Sequence, residues 1–236
     1  MRHFEEQLAE LFQRIVLMGA LAESMIQSAV ACVVKRNEAL AQEVFVKEDE
    51  VNALQVEVDD RAVTLTAQNQ PMARDARFLF MASRIGGELE RIADQAINIC
   101  QNAHYAIEAP PIKTLIELPI MAEISQKMVR DSLTAMIQRD VTLAEKVLIE
   151  EKKVDAFRDQ IFRTMLTYMM GDPRTIQPAF SLILIARNLE RIGDHATNIA
   201  EEVIYWIQGR DVRHNKAKRA AQEEALRVAE QSTGKD

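Results

Sequence analysis

The sequence predicts an all-α protein: a tandem repeat of two antiparallel three-helix bundles, followed by a short charged tail that is helical or frayed. Two observations predict it. One stretch of the chain occurs twice. Glycine and proline, at 7 and 6 of 236 residues, are also too scarce to cut the chain into many short elements. No segment shows the strict alternation of a half-buried strand.

The repeat is clearest where Leu89-Glu90-Arg91-Ile92-Ala93-Asp94-Gln95-Ala96-Ile97-Asn98-Ile99 recurs as Leu189-Glu190-Arg191-Ile192-Gly193-Asp194-His195-Ala196-Thr197-Asn198-Ile199. Eight of the eleven positions match at an offset of 100. Upstream, Met25–Asn52 aligns with Met128–Asp155 at an offset of 103, pairing Met25/Met128, Arg36/Arg139, Leu40/Leu143, Val44/Val147 and Glu48/Glu151. The change of offset marks a loop. A repeat of this period means two copies of one structural unit. The first repeat takes residues 1–108, the second 113–209, and the tail 210–236. Ala109-Pro110-Pro111 separates the copies, because Pro-Pro cannot continue a helix.

Each copy reads as three helices of roughly 30 residues, a length that bundle packing can support. The first carries an apolar stripe at Leu8, Leu11, Ile15, Met18, Ala22, Met25, Ala29 and Val33, spaced by three and four. Asn37 and Asp140 are good N-cap residues at matching places and start a second helix. Its stripe is Leu40, Val44, Val51, Leu54 and Val58, and Gln68-Asn69-Gln70-Pro71 ends it, as Gly171-Asp172-Pro173 does in the second copy. The third helix buries Phe78, Ile85, Leu89, Ile92, Ala96 and Ile99. In the tail, a weak helical pattern runs over Ala217–Ala229.

Composition narrows the function. At 26.8 kDa with 48% apolar residues the chain can bury a core, which excludes wholesale disorder. A net charge of −7 argues against nucleic acid and fits a cation or a basic partner. Met1-Arg2-His3-Phe4-Glu5-Glu6 does not read as a signal peptide. The longest strongly apolar run, Ala179–Ala186, is too short to span a bilayer. Cys32 and Cys100 lack counterparts in the other copy and read as reduced thiols of a cytoplasmic protein. Met25, Met128, Met136 and Met165 fall in apolar patterns and read as core. His195, opposite Gln95 in the other copy, reads as a surface residue.

The acids carry the chemistry. Advancing 100° per residue from Ile85, Glu90, Asp94 and Asn98 fall at about 140°, 180° and 220°, a polar line opposite the core. Glu190, Asp194 and Asn198 repeat it. Glu151 and Asp155 form a further acid pair on the second helix, facing its neighbour, with Glu48 and Asn52 as the first-copy equivalents. Two such pairs offer oxygen ligands to hard or intermediate cations. The bland reading is a solvated face in which Arg91 and Arg191 pair with Asp94 and Asp194. Retention of the acids and of Asn98/Asn198 in both copies brings cation binding level with that reading. No phosphate loop or nucleophile–base order is present, so the sequence does not read as an enzyme.

With these motifs the chain resembles the PhoU family of phosphate-transport accessory and signalling proteins. Thr167-Tyr168-Met169-Met170, Arg174-Thr175-Ile176, Leu189–Asp194 and Ala200-Glu201-Glu202-Val203-Ile204-Tyr205-Trp206 read as family text, and the likeness spans residues 5 to 215 or so. The resemblance implies a cytoplasmic, non-enzymatic negative regulator of the phosphate-starvation (Pho) response and of high-affinity phosphate uptake. It implies a bridge between the ATPase of a phosphate ABC transporter and a sensor histidine kinase, peripheral to the membrane through those partners alone, with a homodimer left open. It also implies divalent or trivalent metal ions (Fe, Zn, Mn or Mg) on the bundle surface. One site would use Glu48, Asn52, Glu90 and Asp94, and the other Glu151, Asp155, Glu190 and Asp194. Asn52 departs from the acidic pattern and puts the strength of the first site in doubt. A plain helical scaffold without metal and a carboxylate-based metalloenzyme are the competing readings.

Overall fold

A computed structural model describes residues 2–110, 112 and 116–213. Six α-helices run through it: α1 (Arg2–Lys35), α2 (Ala39–Asn69), α3 (Ala73–Glu108), α4 (Glu117–Gln138), α5 (Val141–Gly171) and α6 (Ile176–Gln208), with one 3-10 turn at Pro173–Thr175. Among the described residues there is no strand. The stretch expected to be weakly helical at Ala217–Ala229 lies outside the described residues. At 22 residues α4 is shorter than the expected length, while the other five span 31 to 36.

The predicted stripes are the core. Leu11, Ile15, Met18, Ala22, Met25 and Ala29 of α1 are fully buried, as are Val44, Val51 and Val58 of α2 and Ile85, Leu89, Ile92, Ala96 and Ile99 of α3. Each large apolar side chain removed from water contributes roughly 1.5–3 kcal/mol, which outweighs the weak helix propensity of the β-branched residues. Met25, Met128, Met136 and Met165 are buried, and Cys32 and Cys100 are buried and free. By length and composition α1 is apolar enough to cross a membrane, with a mean hydropathy of 1.6 over its best window. Its apolar stripe is nevertheless the wall that α2, α3 and α4 pack against.

The turns repeat as the sequence does. Arg36 and Arg139, equivalent residues, both adopt the left-handed conformation, with φ of 51° and 55°. That conformation costs a non-glycine residue about 1–2 kcal/mol. Arg36 offsets the cost by donating to the carbonyls of Ala106, Ile107 and Ala109 at 3.1, 2.5 and 2.5 Å, where a cation also meets the negative end of α3. Arg139 instead lies 5.1 Å from the ring of Trp206 at the end of α6. Asp140 caps α5 as expected, accepting from the Leu143 N–H at 3.0 Å. Asn37 sits one residue too early to cap α2. Its Oδ1 accepts from the Ala39 N–H at 3.1 Å, and Glu38 takes the N-cap position without a side-chain bond.

Within each repeat all three helices touch one another, and α3 packs on α6 and α1 on α4 to join the halves. α3 and α6 are antiparallel. Arg77 meets the carbonyl of Trp206, Arg84 meets Glu202, and Glu88 meets His195 and Asn198. Two equivalent antiparallel helices exchange only about a twofold axis perpendicular to their common plane. The contacts put that axis near Ile92 and Ile192, so equivalent side chains of the two repeats emerge on one and the same side of the molecule.

Candidate functional site

The buried stripe of α2 fixes its rotation and turns Glu48 and Asn52, one helical turn apart, toward α3. The stripe of α3 does the same for Glu90 and Asp94. Glu48, Asn52, Glu90, Asp94 and Asn98 are all half-buried rather than solvated. The line expected opposite the core is only partly outward because α3 and α6 are central helices, each flanked by three others. Burial raises the pKa of Glu48, and the charges of Asp94 and Asp49 raise it further. Burial and Asp94 likewise raise Glu90. These carboxylates therefore share one field. Asp49 contributes charge beside Asn52.

The second cluster is built alike from α5 and α6. Burial, then Glu190, Glu151 and Asp155, push the pKa of Asp194 up to about 6. Asp194 thus lies within the field of the other three predicted acids. Arg158, which the motif analysis passed over, stands among them. It reaches Glu190 at 2.5 Å, Asp155 at 3.4 Å and Asp159 at 2.8 Å. Its place three residues after Asp155 is the signal that could have found it. The first-copy equivalent is Gln55, which donates to Asp59 at 2.6 Å. Glu48, Glu90 and Asp94 stand with the amides of Asn52 and Gln55 in one copy, and Glu151, Asp155, Glu190 and Asp194 stand with one guanidinium in the other.

The flanking residues behave differently from expectation. Arg91 pairs with Glu88 at 3.0 Å, not with Asp94, while Arg191 is exposed. Asn198 crosses to the other repeat and donates to Glu88 at 3.0 Å, so it does not serve its own acid pair. His195 is no surface residue. Its Nδ1 is 2.7 Å from Glu88, with side chains 16% and 13% exposed. The repeat alignment hid this pair because its counterparts, Asn188 and Gln95, are neutral.

The donor chemistry fits a hard cation: the ligands are oxygen only, and burial, then neighbouring carboxylates, raise the pKa of Glu48, Glu90 and Asp194. Arg158 already holds the place of a positive charge in one cluster. Among the described residues no three His, Cys, Asp or Glu side chains are gathered to hold an ion as they stand. Neither of the two best-defined grooves encloses an acid cluster. One, of about 530 Å³, runs along Glu6–Leu17 of α1, and one of about 790 Å³ lies between Phe45 and Tyr105.

Fold and site together define a duplicated helical-bundle protein with two equivalent acidic clusters on one open face. The PhoU domain matches residues 15–103 and 118–203. The phosphate-specific transport system accessory protein PhoU homolog of Caulobacter vibrioides is 38% identical over 218 residues, covering 92% of this chain and 95% of that one. The Aquifex aeolicus homolog is 36% identical and covers 92% and 98%. The crystal structure of PhoU from Pseudomonas aeruginosa superposes with a TM-score of 0.84 at 35% identity, over 88% of this chain and all of that one. The chain belongs to the PhoU family.

Proposed function

We propose that this protein is a non-enzymatic accessory regulator of phosphate transport. In this reading it restrains high-affinity phosphate uptake and represses the phosphate-starvation response. It does so in the cytoplasm by bridging the ATPase of a phosphate ABC transporter and a sensor histidine kinase. Family membership over nearly the whole chain supports the transport role. The observation that carries the docking role is the pair of equivalent acidic clusters on one face, away from the grooves at Glu6–Leu17 and at Phe45 and Tyr105. Half-buried acids between surface helices, away from those grooves, are better placed for docking than for chemistry.

Metal ions belong to the same reading. Glu48, Glu90 and Asp94 would hold one, with Asn52 or Asp49, and Glu151, Asp155, Glu190 and Asp194 the other. A bound cation supplies positive charge that cancels carboxylate repulsion. The chain's own part is to hold α2 against α3, and α5 against α6, so that both helices present their acids together. Elemental analysis of untagged protein purified without chelator tests this, beside a Glu90→Gln/Asp94→Asn/Glu190→Gln/Asp194→Asn variant. Stoichiometric metal lost in the folded variant supports the ligand assignment. Metal-free protein that still represses starvation genes in a complemented deletion strain reduces the clusters to a docking face. Failure of that complementation ends the regulatory reading.

A further inference from the structure

Four side chains that break the repeat stand together. Cys32, Glu38, Cys100 and His104 occupy positions that the second copy fills with Ala135, Val141, Ala200 and Ile204. Ala135, Ala200 and Ile204 are fully buried and Val141 packs against the core. Aliphatic residues therefore satisfy the packing at this end of a bundle. The first copy replaces all four with groups that ligate metals: two thiols, an imidazole and a carboxylate.

The topology gathers them. α1 and α3 end side by side, where Arg36 holds the carbonyls of Ala106, Ile107 and Ala109. α2 starts against both. The Ala41 N–H donates to the Cys32 sulfur, and the Glu38 carboxylate meets Nδ1 of His104. Cys100 lies one helical turn before His104, on the same side of α3. Glu38, Cys100 and His104 line the groove of about 790 Å³ between Phe45 and Tyr105. Cys32 lies deeper, near enough to Cys100 for the thiols to sense each other's charge. Burial holds both thiols protonated, with Cys100 pushed up to about 12, and such thiols are poor nucleophiles. A coordinated cation supplies the positive charge that ionises them.

We propose that Cys32, Cys100, His104 and Glu38 form a site for a thiophilic divalent cation, Zn²⁺ by ligand type. Two sulfurs, one nitrogen and one oxygen make a tetrahedral donor set, unlike the oxygen-only clusters on α2–α3 and α5–α6. The two thiol protons leave to solvent as the ion binds. No three of the four stand close enough to share an ion as they are. Glu38 and His104 are 53% and 46% exposed, and both turn toward the groove floor about their own side-chain bonds to complete the site. The ion then ties the start of α2 to the ends of α1 and α3.

The test is Co²⁺ titration of the full chain, reduced and freed of metal beforehand, followed by absorbance. A Co²⁺–thiolate bond gives a charge-transfer band in the near ultraviolet, which Co²⁺ held by carboxylates lacks. The chain has 2 cysteines, so the band reports Cys32 and Cys100 alone. The expected result is a saturable band that Zn²⁺ abolishes and that Glu90→Gln/Asp94→Asn/Glu190→Gln/Asp194→Asn leaves in place. The band drops in Cys32→Ala and in Cys100→Ala, each of which installs the second-copy residue. His104→Ala and Glu38→Ala, at half-exposed positions that spare the core, each weaken binding at least about tenfold. Absence of the band in the wild type overturns the inference whatever the acidic clusters bind. So does a band at full strength in either cysteine variant, or unchanged Co²⁺ affinity in either His104→Ala or Glu38→Ala.

Discussion

The side-chain amide of Gln126 donates to the main-chain carbonyl of Glu23 at 3.5 Å, and the two residues hold the same position in the two repeats. Arg130 reaches the Glu23 carboxylate from the next turn, at 3.2 Å. Equivalent residues can touch only on the axis that relates them. α1 and α4 therefore meet on the axis, as α3 and α6 do near Ile92 and Ile192. Duplication has produced a single six-helix body, with α2 and α5 as its outer members.

Gly19 makes that closeness possible. A Cβ there would lie 2.6 Å from Cδ1 of Leu133, a buried residue of α4. Gly19→Ala makes that isobutyl group shift, and the overpacking, about 1–3 kcal/mol, is partly offset by the roughly 1 kcal/mol that alanine gains over glycine inside a helix. Thermal unfolding is expected to fall by roughly 2–4 °C per kcal/mol for a chain of this size. Leu133→Ala costs about 2–5 kcal/mol by itself, so the double variant is expected to lose less than the sum of its single changes. An unchanged midpoint in Gly19→Ala would mean that Leu133 swings aside freely and that α1 and α4 are not held at this point.

Across the other junction, Glu88 accepts from His195 at 2.7 Å and from Asn198 at 3.0 Å. These hydrogen bonds lower its pKa against the opposing effect of burial. A lowered carboxylate pKa stabilises the fold at neutral pH, and that contribution is lost as pH falls through the lowered value. Glu88→Ala removes the acceptor from part-buried His195 and exposed Asn198, for a cost of about 1–3 kcal/mol carried mostly by His195. The neutral counterpart on the other side of the axis is Asn188 with Gln95. Glu88→Asn/His195→Gln, which installs that counterpart, is expected to cost less than the sum of its single changes, by about 0.5–3 kcal/mol in urea unfolding. Strict additivity would show that the pair is not coupled.

Much of this was legible in the residues. The 3- and 4-spaced stripes gave the helices and their buried faces, because burial of one face is what a bundle helix must achieve. The repeat gave the two acid clusters, since equivalent positions on equivalent helices meet equivalent neighbours. What the repeat could not reveal is contact between the copies. Glu88, His195 and Asn198 lie in different repeats, and their partnership depends on the antiparallel docking of α3 on α6, which no pattern within one repeat encodes. Arg158 was hidden for another reason. Its equivalent, Gln55, carries no charge, so attention to what the copies share passes over it, although it offsets the extra acid of the second cluster. The turn at Asn37 shows a finer limit: the residue type marked the turn, but Asn37 stands one residue before the N-cap.

Arg158 divides the clusters by mechanism. In the second cluster a tethered guanidinium competes with any incoming cation for Glu190 and Asp155. Arg158→Gln is expected to raise the affinity of that cluster for a divalent ion, read by Mn²⁺ titration, by about tenfold if one close charge is removed from a partly screened site. Gln55→Arg is expected to lower the affinity of the first cluster. Equal affinities in wild type and both variants would place Mn²⁺ elsewhere on the molecule.

Asp194 supplies the pH dependence of the metal-free protein. Its pKa is raised from 3.8 to about 6 by burial, then by Glu190, Glu151 and Asp155. A raised pKa means that the folded state binds the proton more tightly than the unfolded chain does. The stabilising effect is fully present below pH 3.8 and is lost as pH rises through about 6. Asp194→Asn keeps the size and removes the charge. It is therefore expected to match the wild type near pH 4 and to unfold a few degrees higher at pH 7, in chelator-treated protein. The difference between the two midpoints isolates this carboxylate, because Glu88, whose contribution has the opposite sign, is present in both. If the difference is flat from pH 4 to 7, the repulsion within the second cluster is screened by solvent. The case for a cation that relieves it would then fall for that cluster.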